Sequence, residues 1–117
     1  MMTLKEVYYK VREHLLTQGP TVNAAGYPIC VYRGAKNTSC AVGCLIADEH
    51  YHENFEGHTI RDNDSITGSI KAALELSGVP INGATTLLLT RLQTIHDSLP
   101  QSLWLEELNQ IAERYGF

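Results

Sequence analysis

Apolar residues recur along this chain at helical spacing, and each such run is bounded by capping residues and helix breakers. The first run is the clearest. Thr3-Leu4-Lys5-Glu6 reads as a capping box, in which the Thr3 hydroxyl accepts from the Glu6 amide and Glu6 reaches back. Leu4, Val7, Tyr8, Val11 and Leu15 then form one apolar stripe, and Gly19-Pro20 stops it. A later helix starts at Asp64 or Ser65, places Ile66, Ile70, Ala73, Leu74 and Ser77 on one side, and ends at Gly78 and Pro80. Another covers Ala84 to Ser98 with Ala84, Leu88, Leu92 and Ile95 inward. Pro100 suits the first turn of a last helix in which Trp104, Leu108, Ile111 and Tyr115 share a face. The short link Ser98–Ser102 makes those last two helices antiparallel neighbours.

The middle of the chain is less periodic. Ile29–Tyr32 is short, β-branched and aromatic, and reads as a buried strand. Thr38 or Ser39 can cap a helix over Cys40–Asp48, whose Cys40, Gly43, Cys44 and Ala47 would form a small-residue face. A second strand competes there, because the segment is too short for periodicity to decide. Residues 49–64 lack a period and read as a surface wrap. The expected fold is α+β and mostly helical: one domain over residues 1–117, a compact bundle of four to five helices with a minor β element.

Composition excludes more than it assigns. No apolar run reaches the roughly 20 residues of a membrane span, and the charged N-terminus does not resemble a signal peptide. The expectation is a soluble, cytoplasmic chain with no membrane partner. Three cysteines do not make a disulfide framework and read as reduced thiols. A net charge of −4 without a basic stripe disfavours nucleic acid.

Three constellations are candidates for chemistry. Cys40, at the start of its expected helix, is positioned for a lowered thiol pKa. His96 would be its base, and Gln93 a donor toward an oxyanion. Asp97 is less suited to orient His96, since adjacent helical residues point about 100° apart. This set would serve a cysteine-dependent hydrolase or transferase. Arg33, Gly34, Lys36 and Ser39 lie before the same helix start and could hold a nucleotide-like anion, although no complete phosphate-loop pattern is present. Cys40, Cys44, His50 and His52 are zinc-type ligands, but their spacing matches no familiar structural site, so neither metal nor cofactor is expected. Asp48, Glu49, Glu53 and Glu56 are interleaved with Tyr51, His52 and Phe55, a mixture found at protein contacts. Inward packing of Tyr51 and Phe55 is the simpler reading.

With these segments placed, Tyr32-Arg33-Gly34, the run Cys40–Asp48, Phe55-Glu56-Gly57, Leu92–Asp97 and the helix beginning at Trp104 together resemble a group of small bacteriophage-encoded accessory proteins. The resemblance implies a phage setting and action in the infected cell's cytoplasm. It carries over no catalytic residue. The expected role is binding of a host or defence protein, with a nucleotide-like ligand or cysteine-dependent catalysis as alternatives.

Overall fold

The computed structural model describes residues 1–117 and contains four α-helices. They are α1 (Leu4–Gln18), α2 (Ser65–Leu76), α3 (Gly83–Ser98) and α4 (Trp104–Tyr115). The capping box forms as expected: Glu6 N–H donates to Thr3 Oγ1 at 3.2 Å, and Thr3 N–H to Glu6 Oε1 at 2.9 Å. Val7, Tyr8, Val11 and Leu15 are buried on one face, and Gly19 ends α1 at φ 80°. Asp64 caps α2 through Thr67 N–H, and Asn82 caps α3 through Thr85 N–H.

Helices α1, α3 and α4 pack each against both others. The Tyr8 hydroxyl donates to Leu108 O, Tyr9 to Phe117 O, and Arg12 Nη1 to Asn109 Oδ1. This register runs α1 and α4 antiparallel. Trp104 is buried at the start of α4, its indole N–H donating to Leu99 O at 3.0 Å. Trp104, Leu108 and Ile111 face inward, and burying side chains of this kind contributes about 1.5–3 kcal/mol each. One cluster of 23 buried apolar residues joins these helices to α2 and to the segment between α1 and α2. No helix is long and apolar enough to cross a membrane.

Several local expectations are corrected. Ile29–Tyr32 forms no strand; only the isolated antiparallel bridges Val22–Pro28 and Arg33–Ser39 occur. The backbone donors there find other acceptors. Ile29 N–H goes to Thr21 O, while Tyr32 and Arg33 N–H go to the two oxygens of Glu56. Cys40–Asp48 forms no α-helix but a single 3₁₀ turn, Gly43–Leu45. Its backbone is held from outside: Cys40 N–H donates to Tyr32 O, and Val42 N–H to Gln93 Oε1. Gly43 lies directly on the Tyr32 carbonyl, where any Cβ would collide. On α3, Ala84 is exposed and Thr85 is buried in its stead. Pro100 leads into a 3₁₀ turn, Gln101–Leu103, and α4 begins only at Trp104.

Candidate functional site

Cys40 sits 2% exposed behind the Arg33–Ser39 bridge, its Sγ accepting from Gly43 N–H at 3.2 Å. Burial pushes its thiol pKa up to about 12, against an ordinary value of 9.0. With no helix beginning at Cys40, the dipole that would favour a thiolate is missing.

His96 is not aimed at Cys40. It is buried beside Trp104, ring centroids 5.7 Å apart. Thr21 N–H donates to His96 Nε2 at 3.1 Å, and Thr21 Oγ1 lies 3.0 Å from the same nitrogen. A nitrogen that accepts from an amide carries no proton, so the neutral ring is the Nδ1–H tautomer. Nδ1–H then donates to Asp97 Oδ1 at 2.7 Å. The expectation that Asp97 is badly placed to orient His96 is therefore corrected. The two residues diverge along α3, but the carboxylate folds back to reach the ring. Gln93 is also committed: Oε1 accepts from Val42 N–H at 3.0 Å, and Nε2 donates to Asp97 Oδ1 at 2.8 Å. Cys40, His96 and Gln93 thus lie in one region without forming a nucleophile, base and oxyanion donor.

Three of the four anion-site candidates are likewise committed to the fold, and the fourth, Lys36, stands apart in solvent. Arg33 pairs with Asp48, donates to Ile46 O and lies 4.9 Å over the Tyr51 ring. Gly34 is crowded; an added Cβ would stand 2.5 Å from both Thr21 Cγ2 and Val22 O. Lys36 is exposed on a tight turn, where it and Asn37 have φ of 56° and 59° and Thr38 N–H closes on Ala35 O. Ser39 is bound to α1, its N–H donating to Gln18 Oε1 and its carbonyl accepting from Gln18 and His14. None of the four lines either of the two main cavities.

The zinc-type quartet does not assemble either. Cys44 donates to Ala41 O, and His52 Nδ1 accepts from Asn54 N–H. The one grouping with metal-like spacing is His58, Asp62 and Asp64, in which Asp62 accepts from Thr59 N–H and Asp64 caps α2. In the acidic–aromatic segment Phe55 is buried, Tyr51 packs edge-on against it at 5.9 Å, and the Tyr51 hydroxyl donates to Glu56. Its aromatic rings point inward.

What the fold does build is a cleft of about 350 Å³ between α3 and the segment around Gly57–Arg61. Val31, Cys40, Val42 and Ile60 give it an apolar floor. Thr90, Gln93, Thr94 and Asp97 form its α3 wall. Asp97 is the distinctive group. Its Oδ1 is fixed by two donors, His96 and Gln93. Both of these bonds end on Oδ1; the Cys30 thiol lies beside the same carboxylate, and the side chain is 32% exposed. The charged lining holds two carboxylates, Asp97 and Glu56, against the single guanidinium of Arg61. Glu56 is spent on Tyr32 N–H, Arg33 N–H and Tyr51. Asp97 is pre-oriented through one oxygen and remains part-exposed.

Thr21 escapes sequence reasoning, Glu56 is read there only as part of an acidic run, and Asp97 is set aside as a partner for His96. Thr21 and His96 are 75 positions apart, and no local pattern couples them. The Thr90, Thr94 and Asp97 wall did leave a trace, a polar stripe at helical spacing beside the apolar one. Comparison with protein-family models, with curated proteins and with solved structures gives no match for this chain.

Proposed function

We propose that this chain is a non-catalytic binding protein whose cleft takes a small neutral or cationic molecule bearing N–H donors, such as an amine or a nitrogen heterocycle. The observation that carries this is Asp97: one carboxylate oxygen held by His96 and Gln93, the side chain part-exposed, above an apolar floor. Ligand sites commonly combine an apolar lining with a few fixed polar groups. The excess of carboxylates in the cleft favours a donor-rich ligand over the nucleotide-like anion expected near Arg33 and Lys36. Catalysis by Cys40 lacks support, since its thiol is buried and His96 Nε2 is occupied by Thr21. The test is a thermal-shift screen of primary amines and nucleobase-type heterocycles on the wild type and on Asp97→Asn. A ligand at 100 times its dissociation constant adds roughly 2.7 kcal/mol. A shift present in the wild type and lost in Asp97→Asn supports the reading, and a flat screen retires it.

A second reading keeps the protein partner, a host or defence protein in a phage-infected cell. It is favoured by the seam between α1 and α4. One turn beyond the Arg12–Asn109 contact, Leu16 and Leu105 are 44% and 50% exposed. Affinity capture with the wild type and with a Leu16→Glu, Leu105→Glu double variant tests it. A stoichiometric partner must be retained by the first and lost by the second; equal capture by both removes the seam as the contact.

A further inference from the structure

A second cavity, also about 350 Å³, lies in the groove between α3 and α4. Arg91 from α3 and Arg114 from the last turn of α4 line it, together with Gln110 and Glu107. Thr90 and Thr94 border both this groove and the Asp97 cleft, so the two cavities flank one ridge of α3.

Neither guanidinium of the groove has a carboxylate partner within the chain; Arg91 is half-buried and Arg114 exposed. The ion pairs of the chain are Arg33–Asp48 and three histidine–carboxylate contacts, and none involves Arg91 or Arg114. Glu107 lines the same groove without pairing with either arginine. The Arg91 Nε is buried and has no hydrogen-bond partner. Arg33 Nε is also without one, but both Nη groups of Arg33 have acceptors in Asp48 and Ile46 O. Arg91 has none. A buried donor is costly to leave unmatched, so the unpartnered Nε of Arg91, beside a cavity, favours an acceptor from outside. Two positive groups against one negative also make this groove a local exception in a chain of net charge −4.

We infer that the groove between α3 and α4 binds a small oxyanion, phosphate in preference to a simple carboxylate, through Arg91 and Arg114 with Gln110 as an additional donor. Guanidinium forks match the oxygens of phosphate in paired, charge-assisted hydrogen bonds. Donors from two helices suit a tetrahedral anion, which presents acceptors on more than one side. Glu107 opposes the bound charge and sets the affinity.

The experiment is a calorimetric titration with inorganic phosphate at fixed ionic strength, with sodium acetate and sodium chloride as reference anions. The wild type binds one phosphate saturably, acetate more weakly and chloride not measurably. Arg91→Gln and Arg114→Gln each weaken phosphate by about tenfold or more, the scale of one lost charge-assisted contact. Glu107→Gln tightens it several-fold, whereas Lys36→Gln, which removes a charge outside the groove, changes nothing. Absence of saturable phosphate binding overturns the inference. So does unchanged affinity in the Arg91→Gln, Arg114→Gln double variant, or a loss in Lys36→Gln as large as in the arginine variants. Should an arginine variant fold poorly, Glu107→Gln and Gln110→Ala decide: Gln110 is exposed, and its amide must still contribute to affinity. Asp97→Asn leaves phosphate binding intact, which separates this site from the cleft.

Discussion

Replacing His96 by alanine tests whether this residue is a structural keystone or a spare base. In the fold its ring fills space against Trp104, accepts the Thr21 amide and donates to Asp97. Thr21 is fully buried, so losing Nε2 leaves its N–H with no partner and no water. An unsatisfied buried donor costs about 1–3 kcal/mol. Truncating large core side chains to alanine costs about 2–5 kcal/mol through lost contacts and the void left behind. These effects overlap, and the expected loss is about 3–5 kcal/mol, a large share of the roughly 5–15 kcal/mol that holds a domain folded. His96→Gln separates the contributions. Its Oε1 can stand near the position of Nε2 and accept from Thr21, while the donor to Asp97 is lost, so the cost falls to about 1–2 kcal/mol. Urea unfolding followed by circular dichroism measures both. With a denaturant slope of about 2 kcal/mol per molar, the alanine variant's midpoint drops by roughly 2 M and the glutamine variant's by about 0.5–1 M. A midpoint for His96→Ala within about 0.5 M of the wild type would refute the claim that the Thr21–His96–Asp97 chain holds residues 19–64 onto α3.

The remaining predictions concern thiols and glycines. Native protein treated with a thiol reagent at neutral pH modifies Cys30, which is exposed, while Cys40 and Cys44 react only after unfolding, since burial raises both thiol pKa values to about 12. Mass spectrometry of the labelled peptides checks this, and rapid native labelling of Cys40 contradicts it. The same shifts set an alkaline limit. Above the ordinary thiol pKa of 9.0 the unfolded chain releases protons that the folded chain keeps, so stability is complete below that pH and declines as pH climbs toward 12. Unfolding midpoints that stay constant from neutral pH to the alkaline limit count against it. Gly43→Ala destabilises by about 1–3 kcal/mol because its Cβ meets the Tyr32 carbonyl, which is backbone and cannot step aside. Gly68→Ala, inside α2 with open space around it, stabilises by up to about 1 kcal/mol. Thermal unfolding of the two variants must give shifts of opposite sign.

The four α-helices were legible in the amino-acid order alone, although the further helix it suggested over Cys40–Asp48 does not form. Thr3 with Glu6, the cap at Asp64, the stop at Gly19 and the stripes through Leu15, Leu74 and Ile95 could all be read before any coordinates, because a helix closes its hydrogen bonds within four residues and its buried face repeats with the turn. Only the tertiary structure decided the path of residues 19–64 and the fate of the polar groups on it. Tyr32, Arg33 and Val42 give their amides to the side chains of Glu56 and Gln93, and no strand or helix can form where those donors have gone. Cys40 lost its apparent reactivity to burial, Arg33 its apparent ligand to Asp48, and Asp97 gained a role through contact with its own neighbour. Each outcome depends on partners 1 to 75 positions away, set by packing rather than by spacing. A periodic pattern records what one residue owes its nearest turns. It carries no record of which distant side chain will arrive to accept a proton or cover a thiol.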